Sequence, residues 1–226
     1  MADESCWTVI RAARSGDRDA RSRFSHRFLP VVRAYLSARW ARGARGAQPA
    51  DVEDAVQEVF VECFRDGGVL ERADPGTIPR FDRFLLGVTC NVALRFERRR
   101  DGERRQTGDE SFHPEAVVAD ETSLSRTFDR AFARALVKEA AVRHGELAAE
   151  KGGNAALGVE ILRQRFEENR PVREIAAAMA LDPAFVHHQY AEAKKAFRRA
   201  LEEVVAFHLP QQPVAEECAR LLELLR

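Results

Sequence analysis

Apolar residues in this chain recur three and four apart, and few runs alternate with period two. That spacing matches the turn of an α-helix, about 3.6 residues, and not the alternation of a half-buried strand. Phe24, Phe28, Val31, Val32, Tyr35, Leu36 and Trp40 form one such stripe. Val52, Val56, Val59, Phe60 and Phe64 form a second, and Phe81, Phe84, Leu85, Val88, Val92 and Phe96 a third. Leu124, Phe128, Phe132 and Leu136 recur every four residues. Ala, Arg, Glu and Leu fill the positions between, and all four favour helix. Helices with one apolar face must bury it on one another, so the expected fold class is all-α.

Breakers divide the pattern. A first helix should start near Asp3 or Glu4 and break at Gly16. Residues 20–41 should form the next, kinked or divided at Pro30. The Gly- and Pro-bearing run 41–50 reads as a loop, with Asp51 as the N-cap of a helix and Glu53 and Asp54 in its first turn. Asp66-Gly67-Gly68 ends that helix, a loop runs over 66–79, and a helix over 81–100 follows. Residues 101–123 are polar, basic then acidic, and read as a mobile linker. Further helices are expected over 124–150 and 155–168, separated by Lys151-Gly152-Gly153-Asn154.

Asn169 suits a left-handed helix end, and Pro171 the first turn of a short helix with Ile175, Ala176 and Met179 inward. Asp182-Pro183 is a restart signal, a carboxylate cap followed by proline. The helix from 183 to 205 carries Val186, Tyr190, Ala193, Phe197, Leu201 and Val204 on its inner stripe. The expected organisation is two small helical domains joined by a flexible linker. They are 1–100, the linker 101–123, and 124–207, which contains a helix-turn-helix. An amphipathic tail, 208–226, follows; its Val214, Cys218, Leu221, Leu222 and Leu225 should pack within the chain.

A short helix, a tight turn and a longer helix form a unit that can read DNA with its second helix in the major groove. The groove-facing residues would be Phe185, His187, His188, Gln189 and Glu192, with Lys194 and Lys195 toward the backbone. A plain helical hairpin is the alternative. Lys+Arg and Asp+Glu number 36 each. Zero net charge argues against a free-standing DNA binder and fits a subunit whose partner supplies phosphate contacts.

No run approaches the ~20 apolar residues of a membrane span, and Met1–Trp7 lacks a signal design, so no membrane association and a cytoplasmic location are expected. Cys6, Cys63, Cys90 and Cys218 are scattered and read as buried hydrophobes. Asp51, Glu53, Asp54, Glu58 and Glu62 could mimic a carboxylate metal site but lack a Glu-x-x-His partner. His187 and His188 are adjacent and point apart. No catalytic residue, metal or cofactor is expected, and no enzyme.

Three segments carry a family resemblance. DVEDAVQEVFVECF (51–64) resembles the D-x-E-D-x-x-Q-E-x-F signature of sigma factors. FDRFLLGVTCNVALRFERRR (81–100) resembles the helix that follows it, and ENRPVREIAAAMALDPAFVHHQYAEAKKAFRRAL (168–201) the helix-turn-helix of the sigma C-terminal domain. The three occur in family order, and the similarity is to the extracytoplasmic-function group of the sigma-70 family. It implies that RNA polymerase core is the partner, through its β′ clamp helices and β flap, that promoter DNA is bound, and that an anti-sigma factor is a candidate regulator.

By that resemblance Asp54, Gln57 and Glu58 match polymerase-docking positions. Loop 66–79 and Asn91 match the elements that capture an unstacked base of the −10 element, with Arg95, Arg98, Arg99 and Arg100 beside the phosphates. Phe185, His187, His188, Gln189, Lys194 and Lys195 match the −35 contacts. The chain departs from the family at Arg95 (often Asp or Asn), Ala180 (usually Gly), Asp182 (usually Ser) and Glu192 (frequently Arg). Two rival readings remain: a helix-turn-helix repressor with an N-terminal dimerisation or ligand domain, and a polymerase-binding regulator without promoter reading.

Overall fold

The computed structural model describes residues 5–41, 49–107 and 121–226. Among them every regular element is helical: nine α-helices and one 3-10 helix. They form two compact units. One holds the described residues up to Ala135 together with Phe207–Arg226; the other is Leu136–Ala206.

In the first unit, α1 (Cys6–Arg14) buries Cys6, Trp7, Val9, Ile10 and Ala13 along one face. Asp17 caps α2 (Arg18–Ala41): its Oδ1 accepts the Ala20 amide at 2.7 Å. Pro30 lies inside α2, which continues without division. Pro30 and His26, whose carbonyl loses its helical donor, are both exposed, where water can serve the orphaned oxygen. Phe28, Val31 and Val32 are buried around them and hold the helix in place.

α3 (Pro49–Phe64) starts two residues before Asp51, which therefore sits in the first turn and is not the N-cap. Proline is pre-set for that opening position. A 3-10 helix (Val69–Arg72) lies within the expected loop. α4 (Phe81–Thr107) runs seven residues beyond the expected end at Arg100, so residues 101–107 of the expected linker are helix. Residues 121–123 belong to α5 (Glu121–Lys151). The expected mobility of the linker concerns residues 108–120, which lie outside the described residues.

The core of this unit is aromatic. Phe24 meets Phe28, Phe64 and Phe81 at centroid distances of 4.8, 5.2 and 5.7 Å, and Trp7 meets Phe81 edge-on at 5.6 Å. Each such ring removes enough apolar area from water to contribute roughly 1.5–3 kcal/mol. The first half of α5 joins this core: Phe132 stacks on Phe28 at 6.4 Å, and Phe128 meets Tyr35 at 6.3 Å. The compact unit thus takes in more chain than residues 1–100, because the Leu124, Phe128 and Phe132 stripe finds its apolar partner there. So does the tail. α9 (Val214–Leu224) buries Cys218 and Leu221, while Leu222, expected inside, is exposed.

The second unit comprises the rest of α5, α6 (Asn154–Phe166), α7 (Val172–Ala178) and α8 (Pro183–His208) up to Ala206. Gly152 and Gly153 both have positive φ, 66° and 56°, and end α5. Ile161, Ile175, Ala176 and Val186 form one core cluster, with Leu157, Met179 and Tyr190 packed against it, and Leu136, Ala140, Leu201 and Val205 are buried in the same unit. α6 crosses α8 closely: a Cβ at Gly158 would lie 3.0 Å from that of Ala193.

Candidate nucleic-acid interface

In the first unit the outward face of α3 presents Glu53, Asp54 and Gln57, with Glu58 half-buried. Glu53 is bonded to Arg33 through both oxygens at 2.7 Å. Asp51 lies 3.5 Å from Arg100. Asp54 and Gln57 have no side-chain partner among the described residues and stand free for an external one.

Beside that face, α3, the 3-10 helix and α4 line a half-open cleft of about 350 Å³. Its apolar wall is Val69, Val88, Val92 and Leu94; its polar groups are Glu62, Asn91, Arg95 and Arg98. Asn91 is exposed, off the buried stripe of Leu85, Val88 and Val92. An aliphatic wall with a carboxamide and guanidinium edge suits a flat ligand that is apolar on its faces and hydrogen-bonds at its rim. A nucleobase is such a ligand.

Arg95, expected beside phosphate, is half-exposed at the cleft and paired with acids of α3. Its Nη1 donates to the buried Glu62 at 2.7 Å, and Glu58 lies 3.7 Å from its Nη2. Its buried Nε has no partner. Arg100 faces Asp51, and Arg99 lies over the Phe96 ring at 5.1 Å. Arg98 is exposed at the cleft, and so is the basic group best placed to meet an anion there.

A network that sequence reasoning missed props this part of α4. Glu97 accepts from Arg39 Nε at 2.7 Å and from Trp40 Nε1 at 3.0 Å. Arg39 also donates to the Tyr35 hydroxyl, which lies 3.0 Å from Cys90 Sγ. Burial, with the Cys90 contact adding to it, pushes the Tyr35 phenol up to about 12. The available signal was an acid, Glu97, amid four arginines (Arg95, Arg98, Arg99 and Arg100), which favours a fixed internal role.

In the second unit, Asn169 has φ 53° and ends α6, and Pro171 caps α7. The turn passes through Ala180 at φ 52°. Asp182 Oδ1 then accepts the Phe185 amide at 3.0 Å, and α8 opens on Pro183. His187, His188, Lys194 and Lys195 are exposed, and Phe185 is half-buried.

Gln189 departs from expectation: it is only 8% exposed. It sits three residues after Val186 and four before Ala193, on the inner stripe, where α6 makes its close pass at Gly158. It is turned away from the exposed face that carries His187 and His188. Glu192 lies on that face, bonded to Lys195 at 2.7 Å, and this bond holds its carboxyl below the usual range. Lys194 lies over the Tyr190 ring at 5.3 Å.

Among the described residues no group of three His, Cys, Asp or Glu is placed to hold a metal ion, and no helix is long and apolar enough to cross a membrane. No family model matches the chain, and no curated protein or solved structure matches it at a significant level.

Proposed function

We propose that this chain is a sigma factor of the extracytoplasmic-function type, a subunit that directs RNA polymerase core to promoters and opens them without covalent chemistry of its own. The observation that carries the reading is the cleft beside Asn91, set next to the free polar face of α3. A base leaving the duplex loses stacking, and a cleft with an apolar wall and a hydrogen-bonding rim compensates for that loss. Asn91 offers both a donor and an acceptor to a base edge, and Arg98 offers charge to the adjoining phosphate. Asp54 and Gln57 would meet basic groups of the polymerase clamp. α7, the turn at Ala180 and α8 would act as a helix-turn-helix on the −35 element, with His187 and His188 outward. Such a protein works in the cytoplasm, where polymerase is.

Asp54→Arg combined with Gln57→Ala tests the docking face. Both side chains are free, so the fold should be unaffected, whereas Glu58 lies near Arg95 and would confound the result. Loss of co-purification with core polymerase at unchanged helicity is expected; undiminished co-purification removes the main support.

The second reading is a helix-turn-helix regulator that binds DNA or polymerase without sigma activity. The buried Gln189 and the anionic Glu192 favour it, because they weaken the α8 face as a promoter reader. Tight, sequence-specific gel shifts by the free chain at physiological salt would support it.

A further inference from the structure

The tail belongs to the first unit although some 70 residues of the second separate it from the rest of that unit. It does more than cover apolar surface. Gln211 Nε2 donates to the Pro75 carbonyl at 2.8 Å. Glu217, itself buried, accepts from Arg80 at 2.8 Å and from Arg220 at 2.7 Å. Arg80 also bridges to the buried Asp82, at 3.1 Å. These contacts grip residues 75–82 at both ends. That stretch joins the 3-10 helix, which supplies Val69 to the cleft, to α4, which supplies Val88, Asn91, Val92, Leu94, Arg95 and Arg98; Glu62 of α3 completes the lining. Between the grips the backbone turns at Asp74, whose carbonyl takes the Thr77 and Ile78 amides at 3.1 and 2.8 Å and whose carboxylate takes the Gly76 amide at 2.8 Å.

We propose that residues 207–226 are a positioning clip: Gln211 and Glu217 hold the segment 75–82 so that the cleft keeps the shape that receives a base. This rests on the promoter reading of the cleft. A loop that must capture a base has to be ordered beforehand, since ordering it on binding would subtract from the capture. Its own residues offer little apolar burial: Asp74, Gly76, Thr77 and Pro79 are exposed. The tail supplies the missing constraint from outside the loop. The two grips differ in kind. Glu217 is a buried ion pair, whose loss leaves Arg80 and Arg220 without it. Gln211 is an exposed amide making one hydrogen bond, whose loss leaves the core untouched.

The test uses the full chain, because deleting 207–226 would also uncover the first unit's core. Glu217→Gln and Gln211→Leu are each made and followed by amide exchange over residues 73–83, by co-purification with core, and by permanganate reactivity of promoter thymines in the polymerase complex. The expected result for Glu217→Gln is exchange over 73–83 faster by about tenfold, thymine reactivity reduced, and core binding unchanged. Gln211→Leu should give the same pattern more weakly. Wild-type exchange in both variants overturns the clip, and so does faster exchange with undiminished thymine reactivity. If the wild type itself gives no thymine reactivity on any promoter fragment, the promoter reading fails and takes the positioning role with it. Wild-type reactivity with unaltered variants sinks the clip alone.

Discussion

The two units are built by different means. The first gathers aromatic rings from separate parts of the chain and ties them with buried or half-buried ion pairs that span long sequence distances. Arg39 with Glu97, Arg83 with Asp129 and Arg80 with Glu217 are examples. The second is a continuous stretch whose buried apolar residues are aliphatic, and its ion pairs are largely exposed and local, such as Arg163 with Glu160 and Lys195 with Glu192. Exposed pairs of that kind contribute little. The second unit therefore depends on local signals, its caps and turns, where the first depends on tertiary packing. The candidate cleft lies in the unit with the more constrained core, which suits a site whose shape matters.

Four substitutions and a pH series can break or sharpen that contrast. Phe24→Ala should have the largest effect. It removes the ring that meets Phe28, Phe64 and Phe81, and should destabilise by about 3–5 kcal/mol. Trp7 and Trp40, the chain's two tryptophans, both lie in the first unit, so denaturant melting by tryptophan fluorescence reads that unit. A loss below 1 kcal/mol would mean that the aromatic cluster is not the core of the unit. Ile175→Ala should cost about 2–4 kcal/mol in the second unit, seen as an earlier loss of helicity by circular dichroism with the tryptophan transition little changed. Equal shifts of both signals would break the division into two units.

Local signals come next. Asp182→Ala should cost about 1 kcal/mol through loss of the cap on the Phe185 amide. Ala180→Gly should stabilise by roughly 0.5–1 kcal/mol, because an alanine at φ 52° is strained and glycine is not. If both changes were silent, the local account of the second unit would fail.

The smallest effect is one of pH. Burial works to raise the Glu217 carboxyl, but the guanidiniums of Arg220 and Arg80 outweigh it and hold it below its ordinary 4.5. The folded state therefore prefers the ionised form. The resulting stability is complete above the ordinary value and is lost as the pH falls through the lower folded one. The acid limb of the tryptophan-detected stability curve should be flatter in Glu217→Gln; an unchanged limb would mean the pair is not felt.

What the sequence disclosed follows the same division. The second unit's punctuation was legible because its signals are local: Asn169, Pro171 and the Asp182-Pro183 pair act where they stand. The extent of the first unit was not legible. Nothing near Phe128 says that its ring belongs with Tyr35 of α2, and nothing near Gln211 or Glu217 says that they belong with Pro75 and Arg80; only the tertiary structure pairs them. The inward turn of Gln189 was within reach, since Val186, Gln189 and Ala193 share one stripe by spacing alone. The partners of Arg95 were not legible: the family resemblance set it beside phosphate, and the structure pairs it with Glu62, thirty-three residues earlier on another helix.

The most direct measurement of the central claim is run-off transcription by core polymerase on genomic fragments, with the chain absent, present, or carrying Asn91→Ala. The account predicts discrete transcripts only when the chain is present. It further predicts that Asn91→Ala weakens promoter opening by about 1–3 kcal/mol while leaving thermal stability unchanged or slightly raised, since Asn91 is exposed and off the buried stripe. No new transcripts, or normal opening by an Asn91→Ala protein that is destabilised instead, would contradict it.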